Sequence, residues 1–350
     1  MRALSTMHTL RATRASLNES ARELEARSKL DPAIRAFIRI VSADFARHPP
    51  LISSSPARQR AVAENVRAQW ALGGPAMAQT LDFRVPYGPR QVRVRLYRPF
   101  SVSPLPALIY LHGGGWTMFS IDTHDRVMRE YATRARCVVI GIDYSLAPEA
   151  RFPTALDEVM HIVRWAGEQA QQLGIRADRL ALGGDSAGGN LTLAACLGLR
   201  DGGDRHRVHA MLLNYAALDV ACSAESIACY GGPDYMLGGE EMAQFWRNYM
   251  RDAQDAENPL VCPARAQDLH ALPPAFFTIA ECDILAQQNE LMAERLRAAG
   301  VAVEAIVYRG ASHSFLEAVS IAKISRRALD DASRWLRATL AGTSAQPRNG

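Results

Sequence analysis

Lysine is nearly missing from this 350-residue chain: Lys29 and Lys323 are the only two, and arginine carries almost all the positive charge. The formal net charge is only +4, and the basic residues alternate with acids instead of forming a patch, so no nucleic-acid partner is expected. No uninterrupted apolar run approaches the ~18 residues that a membrane-spanning helix needs. C-x-x-C and H-E-x-x-H are both absent, and His206 and His209 have no further ligands nearby in sequence. No metal is therefore expected. The six cysteines are scattered, with Cys137, Cys196 and Cys282 in apolar stretches. Free buried thiols in a reducing cytoplasm are the expectation, although Cys222 and Cys229 are close enough to pair. Residues 1–28 are arginine-rich and lack the apolar stretch of a secretory signal. Their basic opening has a trace of transit-peptide character; an ordinary helical extension or an early start codon is the preferred reading.

What is present is enough apolar residue, 48% of the chain, for one large core with an insertion. Residues 1–75 carry no strand signal and read as helices. Asp31-Pro32 is an N-cap followed by proline at the first helical position, and Ile34, Phe37, Ile38 and Val41 recur as one apolar stripe. Pro49-Pro50 closes that helix, and Pro56 introduces another running toward Trp70. Residues 76–216 change to short strands: Gln91–Tyr97 alternates with period two, whereas Val138–Ile142 is apolar throughout, as in a central parallel sheet covered on both faces. Helices are predicted over Ala155–Leu173, Asn190–Leu199, Asn289–Ala299 and Ser325–Leu340. Alternating strands and helices with crossovers of one hand give an α/β, doubly wound, mostly parallel sheet. Residues 217–268 are too long for a simple connection and form an insertion with a helix from Gly239 to Arg251. The sheet pattern resumes over 269–342, and 343–350 read as a disordered tail.

Gly184-Asp185-Ser186-Ala187-Gly188 stands between the apolar run Arg179–Gly183 and a helix opening at Gly189. A serine between strand end and helix start sits on a sharp elbow with its hydroxyl at the sheet edge. Glycine is needed at 184 and 188 because a Cβ there would strike neighbouring backbone. The helix start also aims free N–H groups at negative charge forming beside that hydroxyl. Taken singly, a G-x-S-x-G also arises by chance in glycine-rich loops; a second motif decides between the readings.

Ala107–Leu111 is a strand-length apolar run that feeds into His112-Gly113-Gly114-Gly115-Trp116. Consecutive glycines let backbone N–H groups converge on one point, as an oxyanion requires; losing one such donor costs about 2.7–4 kcal/mol of transition-state stabilisation. The oxyanion hole is assigned to the N–H groups of Gly113, Gly114 and Ala187. A phosphate cradle would instead carry Gly-Lys-Ser/Thr, which is absent. His112 is read as orienting the glycine loop through a hydrogen bond, and Asp185 as bracing the elbow.

A serine hydroxyl needs a base, and the base an orienting acid, each just beyond a strand and in the order acid then histidine. His313 is the only histidine after His270 and follows the strand-like run Val301–Tyr308. One strand earlier, Ala275–Ala280 ends in Glu281-Cys282-Asp283. Asp283 is taken as the acid, with Glu281 as its rival.

These motifs, together with Ile121–Arg126, Ile142–Pro153, Gly189-Asn190 and His313–Leu316, resemble the bacterial hormone-sensitive-lipase-like esterases of the α/β-hydrolase superfamily, most closely their acetyl esterase branch. The resemblance covers roughly Leu30 to Leu340. It implies an eight-stranded α/β-hydrolase sheet, with the insertion and the N-terminal helices together forming a helical cap over the serine. It also implies a serine carboxylesterase acting on short acyl esters through Ser186, Asp283 and His313, with no cofactor and a small-molecule ester as partner. Ile284 and Gln287 depart from the family pattern, which has proline and a second acid there. A homodimer is compatible with the resemblance, but no residue argues for one. Two other functions stay open: an amidase or arylformamidase using the same triad, and a binding or regulatory protein on a retired hydrolase fold. Trp116, Phe119, Tyr215, Phe245 and Trp246, with Tyr230 and Tyr235, are candidates for the pocket wall.

Overall fold

The apolar runs form the middle of one sheet. In the computed structural model, which describes residues 29–49, 54–101 and 104–341, eight strands run in chain order as β1 (Gln79–Tyr87), β2 (Arg90–Arg98), β3 (Leu105–Leu111), β4 (Val138–Asp143), β5 (Ile175–Asp185), β6 (Ala210–Asn214), β7 (Ala275–Cys282) and β8 (Val303–Ser312). Their spatial order is β1-β2-β4-β3-β5-β6-β7-β8. β2 alone runs against the rest, pairing antiparallel with both β1 and β4. The expectations for residues 1–28 and for the tail 343–350 lie outside the described residues.

The central strands are apolar on both faces because helices cover both. Alternate residues of β3 sort accordingly: Ile109 and Leu111 join one buried cluster, Leu108 and Tyr110 the other. Helices α4 (Thr154–Glu168), α6 (Ala187–Asp201) and α9 (Ala286–Ala298) pack into the first cluster. Helices α3 (Asp125–Ala135) and α10 (Lys323–Ala341) pack into the second. The predicted helix Ala155–Leu173 breaks at Gln169 into α4 and a single turn, α5 (Ala170–Leu173), which Gly174 ends at φ +58°. Helix α3 had no clear signal, because six of its eleven residues, DRVMREYATRA, are polar or charged; its apolar face emerges only against the sheet, where Val127, Met128 and Tyr131 are buried.

Two further groups of helices stand over the carboxyl ends of the strands. Helix α1 (Pro32–Phe45) starts as its sequence dictates, with Asp31 Oδ1 accepting the N–H of Ala33 at 2.8 Å and of Ile34 at 3.3 Å. All four stripe residues, Ile34, Phe37, Ile38 and Val41, are buried. Helix α2 (Pro56–Ala71) packs beside it, Trp70 meeting Phe37 edge to face at 4.6 Å. From the stretch 217–268 come α7 (Ala224–Tyr230) and α8 (Gly239–Tyr249), the latter burying Met242, Phe245, Trp246 and Tyr249. Among the described residues no helix is long and apolar enough to cross a membrane.

Candidate active site

Ser186 joins β5 to α6 with φ +52° and ψ −116°, a conformation that costs energy for any residue with a side chain. The surroundings hold it there. Its N–H donates to Asn214 O at 2.9 Å, and its carbonyl accepts from Asn190 N at 3.0 Å and Ala217 N at 3.1 Å. The flanking glycines are obligatory: a Cβ on Gly184 or Gly188 would run into the carbonyl oxygen of Leu111 at the end of β3.

His313 lies just past β8 and Asp283 just past β7. The imidazole Nε2 is 2.9 Å from Ser186 Oγ, and Nδ1 is 2.7 Å from Asp283 Oδ2. All three residues are buried. The remaining oxygen of Asp283, Oδ1, accepts the N–H of Leu285 at 3.0 Å, so the carboxylate is held without the proline and second acid of the family pattern. Burial works to lower the pKa of His313, but the adjoining Asp283 carboxylate outweighs it, and the net shift is upward from 6.5. Glu281 is engaged elsewhere, accepting the N–H of Gly310 at 2.8 Å. The structure therefore brings together Ser186, His313 and Asp283, and leaves Glu281 out.

The glycine loop needs one correction. The N–H of Gly113 does not face the serine's cavity; it donates to Asp185 Oδ1 at 3.2 Å. The cavity is lined instead by Gly114 and Gly115, at φ +109° and +59°. Three adjacent glycines look alike in sequence, and only the folded turn determines which N–H groups point inward. Asp185 also accepts from Tyr110 Oη at 2.9 Å and stands 3.4 Å from His124 Nε2, an ion-pair contact too poorly aligned for a hydrogen bond. Burial would raise the Asp185 carboxyl, yet His124 and Tyr110 hold it below 3.8. Burial opposes the charged form of His124 too, but Asp185 prevails and raises its pKa above 6.5. His112 Nδ1 lies 2.7 Å from Gly113 O, and its ring stacks on Tyr144 at 4.4 Å. Burial, with His124 adding to it, lowers His112 to about 4, so the ring is neutral and its N–H holds the turn.

In front of Ser186 and His313 lies a cavity of about 290 Å³. Of the expected wall residues, Phe119 and Phe245 line it. Trp116, Tyr215 and Trp246 do not: they are almost fully buried behind the site. Trp116 stacks on Tyr249 at 4.4 Å, and Tyr215 presents its ring against His313 at 5.0 Å. Tyr230 and Tyr235 likewise lie away from the cavity, in contact with each other. The sequence reading missed Val41, Ser42, Phe45 and Arg67 from α1 and α2, Met236 and Leu237 just before α8, and Glu241 in its first turn. The position of Arg67 carried one signal, a charge on the same helix face as the buried Val66 and Trp70. It pairs with Glu317 at 2.9 Å, both side chains nearly free of solvent. Among the described residues no group of three or more His, Cys, Asp or Glu side chains is arranged to hold a metal ion.

Comparison with known proteins identifies the family. Residues 108–317 match the family described by the α/β-hydrolase fold. Acetyl esterases of Salmonella paratyphi A and Salmonella agona are each 35% identical over 276 residues, 78% of this chain and 84% of theirs. A hyperthermophilic esterase from the archaeon Pyrobaculum calidifontis superposes with a TM-score of 0.82 at 32% identity, covering 88% of this chain and 98% of that one. A thermostable carboxylesterase cloned from a metagenomic library gives a TM-score of 0.79 at 33% identity, covering 85% and 99%. With a family match over residues 108–317 and relatives above 30% identity across most of both chains, this chain belongs to the α/β-hydrolase family, among its hormone-sensitive-lipase-like esterases.

Proposed function

We propose that this carboxylic ester hydrolase cleaves short acyl esters by acyl transfer to Ser186, with His313 as general base and acid and Asp283 as its orienting carboxylate. The observation that carries the reading is the unbroken chain from Ser186 Oγ through His313 to Asp283 at 2.9 and 2.7 Å. His313 takes the hydroxyl proton as oxygen attacks the ester carbonyl. Asp283 steadies the imidazolium, and the proton then passes to the departing alcohol. Water activated by the same imidazole releases the acid. The charge on the tetrahedral oxygen rests on the N–H groups of Gly114, Gly115 and Ala187, the last at the positive end of α6. Helices α1 and α2 together with α7 and α8 serve as the cap, since residues from both groups line the cavity. At about 290 Å³ the cavity is at the low end of the ~300–1,000 Å³ range of ligand pockets, which favours small acyl groups. Cytoplasmic residence belongs to the same proposal and rests on the buried thiols Cys137, Cys196, Cys262 and Cys282.

The test is a series of p-nitrophenyl esters from acetate to decanoate with the wild type and Ser186→Ala. The variant should lose on the order of 10⁶ in kcat, the loss measured when comparable triads are dismantled. In the wild type, kcat/KM should fall as the acyl chain lengthens. Undiminished turnover by Ser186→Ala overturns the assignment of the nucleophile, and a preference for decanoate overturns the short-chain reading. Parallel assay of acetanilide and formanilide tests the amidase alternative.

A further inference from the structure

We propose that Glu241 selects substrates by charge, favouring esters that place a substituted ammonium group in the cavity over neutral or anionic ones. This rests on the esterase reading above and adds a substrate class to it. Three side chains able to carry charge line the cavity: Arg67, Glu241 and His313. Two of them have their own counter-ions. Arg67 is paired with Glu317 at 2.9 Å and lies over the ring of Phe119 at 5.0 Å. His313, when protonated, is paired with Asp283 at 2.7 Å. Among the described residues no basic side chain forms an ion pair with Glu241; Arg67 and His313 favour its charge only from a distance, so the cavity keeps one carboxylate without a counter-ion of its own beside the reacting groups.

The structural role of Glu241 does not exhaust it. It is the third residue of α8, where the backbone N–H of Gly238 at the helix start favours its carboxylate. A carboxylate offers about four lone-pair sites, so this one contact leaves acceptor capacity facing the cavity. The residue is exposed to the cavity's water but crowded by protein around it, and this crowding raises its carboxyl above 4.5. A cation entering the cavity relieves that penalty, whereas a second carboxylate deepens it. The rings of Phe45 and Phe245 line the same space, and their faces attract a cation of low hydration. A methylated ammonium satisfies both the carboxylate and the rings, which a neutral alkyl group of equal shape cannot do.

Matched esters that differ only in charge test this. Acetylcholine is compared with 3,3-dimethylbutyl acetate, which puts the group on the alcohol side. The p-nitrophenyl esters of 4-(trimethylammonio)butanoate and 5,5-dimethylhexanoate put it on the acyl side. In at least one pair the cation should be preferred about tenfold in kcat/KM, as for a partly screened ion pair, and the preference should shrink with added salt. Glu241→Gln should bring that ratio toward one. Glu241→Asp, which keeps the charge, should retain most of it, separating charge from any loss of the contact with Gly238. Cleavage of the neutral esters without a charge preference, or a preference that survives Glu241→Gln, overturns this proposal alone. Cleavage of p-nitrophenyl acetate with none of the four cleaved overturns this proposal alone, whereas failure on p-nitrophenyl acetate as well overturns the esterase reading and this proposal with it.

Discussion

Removing one partner of the Arg67–Glu317 pair should destabilise the protein far more than removing both. The two groups meet at 2.9 Å with side-chain exposures of 4% and 3%, and they join α2 to the turn that follows His313. Breaking a buried pair from one side costs about 3–5 kcal/mol, because the remaining charge stays in a poorly solvating interior. The structure orders the two single variants. In Glu317→Gln the guanidinium keeps its positions over Phe119 at 5.0 Å and Phe37 at 5.5 Å, and the amide oxygen still accepts a hydrogen bond. The cost should be near the lower limit, about 3 kcal/mol. In Arg67→Met those ring contacts are lost, and the buried Glu317 is left with both oxygens unpaired, since Oε1 already lacks a partner. That cost should approach about 5 kcal/mol. The double variant Arg67→Met with Glu317→Leu removes both charges, and well-packed apolar replacements of such pairs are often neutral or stabilising. It should unfold within about 2 kcal/mol of the wild type, giving a large favourable coupling in the double-mutant cycle. Equilibrium urea unfolding of the four proteins measures all of this. Single variants each costing under about 1 kcal/mol, or single effects that merely add in the double variant, would refute the reasoning.

Three further outcomes follow from the site. Because Asp283 raises His313 above 6.5, kcat/KM should fall with acid through a pKa above that value. In Asp283→Asn the largest charge opposing burial is gone and only Asp185 and Glu241 still act against it, so this limb should move to lower pH while kcat drops by about 10⁴, as in a comparable triad; a limb that stays in place contradicts the assignment. Gly115→Ala drives a methyl group into the ring of Phe245 and should cost about 1–3 kcal/mol by overpacking. In a Phe245→Ala background, where the ring is gone, the same Gly115→Ala change should cost less than in the wild type, and costs that simply add in the double variant count against the contact. His124 has a raised pKa in the folded state, so its ionic contribution to stability is fully present below pH 6.5 and is lost as pH rises through the folded value. The stability gap between wild type and His124→Gln should therefore narrow in urea midpoints as the pH rises above 6.5; a widening gap shows the sign to be wrong.

Much of this protein is written in local pattern. The elbow at Ser186 is legible because strand, turn and helix adjoin in the chain and the glycines at 184 and 188 are sterically forced. The cap of α1 and its buried stripe, Ile34, Phe37, Ile38 and Val41, follow from spacing alone. Asp283 and His313 could be chosen because each ends a recognisable apolar strand, although 127 residues separate the histidine from the serine.

What tertiary structure decided was direction and pairing. Which glycine N–H groups face the cavity depends on φ values of a turn that Asp185 holds from β5, and Gly113 proved to be turned toward that carboxylate. Aromatic residues have the same apolar character in core and pocket, so sequence did not separate Trp116, Tyr215 and Trp246 from Phe119 and Phe245. Arg67, Glu317 and Glu241 acquire their meaning from packing between segments hundreds of residues apart, and burial strengthens a charge interaction that in the extended chain would be screened by water.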